Sequence, residues 1–243
     1  MRTSAFFSIL ALAFLAAPQA DATLQIAVQI GPDLFTCAEG QACDTSAVTG
    51  VLATSATTID GILFSSATAS AESGPLDFLN ASSLLLTNTL KTPITITIAV
   101  GATGFTAPVA EFATAASGVW QGPGGLSAAT FQWFVDPANA QGAATATDTP
   151  GALIDSDLST SLPITLAFAH NGFKSDALSA PYSMTEQLSL VLAPGESLVN
   201  RGQTIVGAAI PEPSTWAMLV VGFIGLAWGS FTRRRVRSLQ SAL

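Results

Sequence analysis

The sequence predicts an all-β protein. Its core reads as an antiparallel β-sandwich, flanked by an N-terminal signal helix and a C-terminal transmembrane helix. Three observations lead there. Apolar and polar residues alternate over several short stretches between residues 23 and 207, and a period of two means one buried and one wetter face. Gly, Pro, Asn and Asp punctuate the gaps between these stretches. Convincing helical character is confined to an apolar run at each end. About 185 of the 243 residues lie between those ends, enough for one sizeable core.

The strands are justified one by one. In "TLQIAVQI" (23–30), Leu24, Ile26, Val28 and Ile30 alternate with Thr23, Gln25, Ala27 and Gln29. In "PITITIAV" (93–100), Ile94, Ile96 and Ile98 alternate with Thr95, Thr97 and Ala99. "MTEQLSLVL" (184–192) ends on Leu188, Leu190 and Leu192 against Ser189 and Val191. Residues 59–65, 83–88, 131–136 and 164–169 are further candidates. Within "FQWFVD" (131–136), Phe131, Trp133 and Val135 should face the core, with Gln132, Phe134 and Asp136 opposite. Residues 83–105 read as strand, Asn-Thr turn, strand. "PVAEFATAAS" (108–117) is ambiguous. "ASGVWQGPGG" (116–125) and "PANAQGAATATDTPGA" (137–152) read as loops by composition, the second a mobile one. Several short strands with turns between them suggest a sandwich.

The N-terminus, "MRTSAFFSILALAFLAAPQADA", has one basic residue, Arg2, then an apolar run from Ala5 to Ala17 and a small-residue segment. This is the layout of a secretory signal peptide. The run is shorter than the roughly 20 residues a membrane helix needs. Ala20-Asp21-Ala22 fits a small-x-small cleavage site, so residues 1–22 are read as the signal and Thr23 as the first mature residue, with cleavage after Ala20 as the alternative. Export bears on the two cysteines, Cys37 and Cys43 in "CAEGQAC". An even count in an exported chain suggests a disulfide. The loop-entropy contribution of so short a ring is on the order of 2 kcal/mol.

Charge excludes one class of partner. Between Thr23 and Ile210 there are 14 acidic residues against Lys91, Lys174 and Arg201, a net of 3 − 14 = −11. Such a surface repels phosphate backbones, so no nucleic-acid partner is expected.

The C-terminus is the most informative segment. Ser214 to Thr232, "STWAMLVVGFIGLAWGSFT", holds nineteen residues without a charge, near the length of a membrane span. Trp216 and Trp228 sit towards its ends, where interfacial aromatics belong. Arg233, Arg234, Arg235 and Arg237 follow, and such charges stay in the cytoplasm. Both ends therefore put residues 23–210 on the far face of the cytoplasmic membrane. Pro211-Glu212-Pro213 precedes the span. Two prolines keep the chain extended and remove backbone donors, leaving an accessible segment outside the membrane.

This order of parts resembles the PEP-CTERM sorting signal of Gram-negative bacteria: Pro-Glu-Pro box, Trp216-Ala217-Met218-Leu219, Gly222-Phe223, Gly225-Leu226 and the arginines. The usual Gly-Leu-Gly is Gly-Leu-Ala-Trp here. The resemblance covers about 30 residues and assigns 208–243 to a sorting signal, with its helix at 214–232 and a basic tail. It implies that exosortase, a membrane-embedded cysteine transpeptidase, recognises the tail and cuts near the box. Pro211, Glu212, Pro213, Trp216, Arg233, Arg234 and Arg235 are then parts of a substrate. It further implies a membrane-anchored precursor released to the envelope or extracellular matrix, with exopolysaccharide or biofilm as its setting.

No catalytic set is legible, and the expectation is a protein that is not an enzyme. His170, the one histidine, follows "TLAFA" beside an Asn171-Gly172 turn and reads as a surface residue. No nucleophile elbow, phosphate loop or dinucleotide fingerprint appears. Zinc lacks ligands, and neither a metal nor a cofactor is expected. The rival reading is a lectin-like or calcium-dependent adhesin. Asp155 and Asp157, on one side of an extended chain with Asp148 nearby, would supply oxygen ligands to calcium, although loops are often acidic for solubility alone. Trp120, beside the Gly-Pro-Gly-Gly loop, would stack on a sugar if exposed. "NAS" at Asn80 is formally a glycosylation sequon without force in a bacterial exported chain.

Overall fold

The computed structural model describes residues 23–64, 66–74, 76–123, 125–161 and 166–209. The expected signal helix, the Pro-Glu-Pro box, the transmembrane helix and the basic tail lie outside them. Fourteen strands follow in order: β1 (Thr23–Ile30), β2 (Asp33–Ala38), β3 (Val51–Thr54), β4 (Thr57–Ile59), β5 (Ile62–Phe64), β6 (Ala67–Glu72) and β7 (Leu76–Asn88), then β8 (Ile94–Phe105), β9 (Val109–Gln121), β10 (Ala128–Asp136), β11 (Ala152–Thr160), β12 (Leu166–Leu178), β13 (Tyr182–Leu192) and β14 (Ser197–Ala209). The described residues include no helix long and apolar enough to cross a membrane.

The strands form two sheets, and the pairings within each are antiparallel. One has the order β11-β10-β13-β8-β1-β2 and the other β12-β9-β14-β7-β5-β4, with β6 also on β7 and β3 on β6. The inward residues of both sheets make one apolar cluster, including Leu24, Ile98, Phe131 and Leu188 from the first and Leu79, Phe112, Trp120 and Ile205 from the second. Burying each large side chain contributes about 1.5–3 kcal/mol. Aromatic contacts bridge the sheets: Tyr182 stacks on Phe105 at 5.5 Å and meets Phe112 edge-on at 6.0 Å. The chain thus forms a sandwich-like all-β fold.

Alternation places β1, β8, β10 and β13 as expected, and Phe131, Trp133 and Val135 are buried together. Three expectations need correction. Residues 59–65 are not one strand: Asp60 and Gly61, both with positive φ, turn the chain between β4 and β5. Residues 116–121 are strand, not loop, because β9 runs on between β12 and β14; this also settles 109–117 as strand. Residues 83–105 are strand, turn, strand as expected, with β7 and β8 in opposite sheets; Asn88 secures the crossing by donating to the carbonyls of Thr92 and Leu192, both at 2.9 Å. The 137–152 segment is irregular, but Ala143 and Ala146 are fully buried against Ala27 and Ala99, so it is a packed cover on the first sheet.

Candidate functional site

Asp155 and Asp157 sit two residues apart on β11, so period-two geometry points both the same way. They meet His170, which lies in the middle of β12 and not beside a turn, contrary to the sequence expectation. The His170 Nε2 is 2.8 Å from Asp155 Oδ2 and its Nδ1 is 3.3 Å from Asp157 Oδ1. Because β11 and β12 are edge strands of opposite sheets, this histidine clamps the sheets along a seam. The Thr114 hydroxyl of β9 also donates to Asp155. Burial pushes the Asp155 carboxyl up, but bonds from Thr114, His170 and the Ser156 amide outweigh it and hold the carboxyl below its usual range. Asp148 is elsewhere, accepting the Ala144 amide at 3.1 Å. The calcium set Asp148, Asp155, Asp157 is therefore not assembled. Among the described residues no group of three His, Cys, Asp or Glu side chains is arranged to hold a metal ion.

Behind the seam a polar track enters the core. Trp133 stacks on His170 at 5.5 Å, and its register partner on β13 is Glu186. Glu186 is fully buried, as are its neighbours Arg201 and Gln203 on β14. Burial drives the Glu186 carboxyl well above the usual range against the opposing pull of Arg201. Burial likewise lowers the Arg201 guanidinium to about 10, the Glu186 charge opposing. Arg201 donates to Gln203 Oε1 at 2.6 Å, and Gln203 reaches across to the Gln132 carbonyl at 2.9 Å. The Ile205 and Ala81 backbones, like Arg201, offset only part of the Glu186 burial, and the Trp133 indole N–H has no hydrogen-bond partner among the described residues. The remaining buried acids are tied into structure. Asp77 accepts from Tyr182 at 2.7 Å and from Gly74 at 2.8 Å, and Glu196 accepts from Ser127 and Ser161.

The outward face of the second sheet is open and uncharged at its centre. A cavity of about 330 Å³ there is lined by Asn80, Ser117, Asn171, Thr204 and small residues between them, with His170 at its β12 side. Strand register makes it a row: Asn171 lies beside Ala115, Ala115 beside Thr204, Thr204 beside Asn80, and Asn80 beside Ser70. Thr204 donates to Asn80 Oδ1 at 2.8 Å. The next outward row carries Phe173, Ala113, Val206 and Phe78 in the same strand order. Alternation in β9, β12 and β14 would have located this face, had β9 and the full length of β12 been recognised as strands.

Two other sequence readings resolve plainly. Cys37 and Cys43 form a disulfide, with Cα atoms 5.9 Å apart. Trp120 is not an exposed sugar platform: it is 2% exposed, and its indole N–H donates to Ser159 Oγ at 3.0 Å.

An antiparallel all-β domain leads at β14 into a Pro-Glu-Pro tail, and it is this tail that defines an exported protein carrying its own sorting address. The address is the PEP-CTERM protein-sorting motif, whose family model matches residues 209–235. That span takes in Pro211, Glu212, Pro213, Trp216, Arg233, Arg234 and Arg235. The motif marks the chain as an exported protein processed by exosortase. No curated protein matches the chain. Among solved structures, TmCBM61 in complex with β-1,4-galactotriose matches at 8% identity, covering 57% of this chain and 86% of that chain, with a TM-score of 0.29. The carbohydrate-binding module CBM6cm-2 from Cellvibrio mixtus lichenase 5A, in complex with cellotriose, matches at 12% identity over 67% of this chain and 88% of its own, with a TM-score of 0.22. The enzymatically active domain of bacteriophage CBA120 tailspike protein 4 matches at 9% identity over 78% of this chain but 20% of its own, with a TM-score of 0.24. Superpositions this shallow transfer no ligand.

Proposed function

We propose that this chain is a non-catalytic protein of the cell envelope or extracellular matrix, made as a membrane-anchored precursor and released there by exosortase. Its setting is exopolysaccharide or biofilm. The observation that carries the reading is the placement of the sorting motif. It begins at residue 209, the residue on which β14 ends, so the β-domain hands over to the tail without a further domain between. The tail residues serve as exosortase substrate: the box is the cut region, residues 214–232 hold the precursor in the cytoplasmic membrane, and the arginines stall it there.

A non-catalytic role is supported by how the titratable groups are spent. His170, Asp155 and Asp157 satisfy one another, Asp77 and Glu196 brace turns, and Glu186 is sealed in the core. An acid-pair hydrolase would need two carboxylates facing a shared cleft, roughly 5–10 Å apart. Cell fractionation tests the proposal. The protein should appear in the matrix fraction of an exosortase-bearing host and remain with the membrane pellet when exosortase is deleted. Equal distribution in both strains would refute it.

A further inference from the structure

We propose that the open face of the second sheet is a binding groove for an uncharged polysaccharide strand. The inference rests on the matrix reading above and supplies its ligand class. The row from Asn171 through Thr204 and Asn80 to Ser70 crosses five strands. Four strand spacings of about 4.8 Å give it a length of roughly 19 Å, room for several sugar rings. Its chemistry is that of amides and hydroxyls, which donate and accept like the hydroxyls of a sugar. Asn80 spends its Oδ1 on Thr204, and its Nδ2 has no hydrogen-bond partner among the described residues. The small residues between keep the floor low, as Ala115 and Gly202 do.

The adjacent row adds the apolar element. Phe173 is 75% exposed on β12, and Phe78 lies on the same face of β7. A pyranose presents C–H groups on its face and hydroxyls at its edge. A strand lying along the groove would set ring faces on the phenylalanines and edges on the amide row. The amides and hydroxyls along the row would fix the orientation of the strand. Charge selects the class of glycan. Among the described residues that line the groove the one titratable group is His170, whose ring nitrogens are engaged by Asp155 and Asp157; Glu72 closes the far end of the aromatic row, and residues 23–210 carry 3 − 14 = −11. A polyuronate would meet only repulsion.

The test uses protein purified from the exosortase-bearing host, as wild type and as Phe173→Ala and Asn171→Ala variants. Both side chains are exposed, so neither change should disturb folding. Neutral β-1,4-linked tetrasaccharides of glucose, galactose and mannose are titrated calorimetrically, with a glucuronate tetramer as control. The proposal expects at least one neutral tetrasaccharide to bind, each substitution to weaken it on the order of tenfold, and the glucuronate to bind least. Retention of the double variant in the host matrix is measured alongside. Loss of retention by a correctly processed double variant also supports the groove. Binding that both substitutions leave unchanged overturns it, as does preferential binding of the glucuronate. Failure of every neutral sugar together with full matrix retention overturns it too, while leaving the sorting account standing. If the wild type never reaches the matrix, the matrix reading fails, and the titration alone then decides the groove.

Discussion

At Gly172 the seam between the sheets closes because there is no side chain. A Cβ there would lie 2.1 Å from Asp155 Oδ2 and 2.6 Å from Thr114 Oγ1. Gly172→Ala should therefore open the His170 clamp and cost about 1–3 kcal/mol in denaturant unfolding; an unchanged midpoint would contradict this. The same clamp sets an acid limit. The folded Asp155 carboxyl sits below its usual value, so its contribution is present above the unfolded value and is lost as pH falls through the folded one. Melting temperature should accordingly fall below about pH 4, and Asp155→Asn should flatten that limb. A wild type and variant with parallel pH profiles would count against the account. Little of this was legible in the sequence. The two aspartates announce a shared direction by their spacing, but their partner is fifteen residues away on another sheet, and the Asn-Gly after His170 mimics a turn. Trp120 misled for a related reason: the Gly-Pro-Gly-Gly that follows marks the end of its strand, not the exposure of its ring.

At the level of elements, alternation reveals a strand only where one face is markedly more polar. It located β1, β8 and β13, whose inward Ile and Leu contrast with Thr, Gln and Ser, and β10, whose inward Phe131, Trp133 and Val135 alternate with Thr130 and Gln132. It failed on β9, where Ala occupies both faces, and it ran through the Asp60-Gly61 turn although that dipeptide is a strong hairpin signal. Which sheet a strand joins was beyond the pattern, since β7 and β8 are consecutive yet lie in opposite layers. Between β13 and β14 the core holds Glu186 and Arg201, an arrangement seldom favourable against apolar replacements. Glu186→Leu alone should cost about 3–5 kcal/mol, because Arg201 is left without its opposing charge, whereas Glu186→Leu with Arg201→Met should be neutral or stabilising by about 1–4 kcal/mol. Urea titrations decide it. A double variant less stable than Glu186→Leu would show that the pair stabilises the fold.

At the scale of the whole molecule, the ends and the middle carry different kinds of information. A sorting address must be read by an enzyme from a short linear segment, so its box, span and arginines stand together and are visible in one sequence. A binding face on a sheet is assembled from residues far apart in the chain: Asn80, Asn171 and Thr204 become neighbours only through the pairing of β7, β14, β9 and β12. That explains why destination was legible and ligand was not. The domain's acidity fits its destination, since a surface with few cations resists adventitious polyanions outside the cell.

The central claim is that the tail is an address removed on delivery. The most direct test is the intact mass of the protein from its native host, with and without exosortase. The account predicts a chain that starts near Thr23 and ends near Pro211-Glu212-Pro213 only when exosortase is present. A chain that keeps Arg233, Arg234 and Arg235 in both strains would contradict it and make the tail a plain membrane anchor.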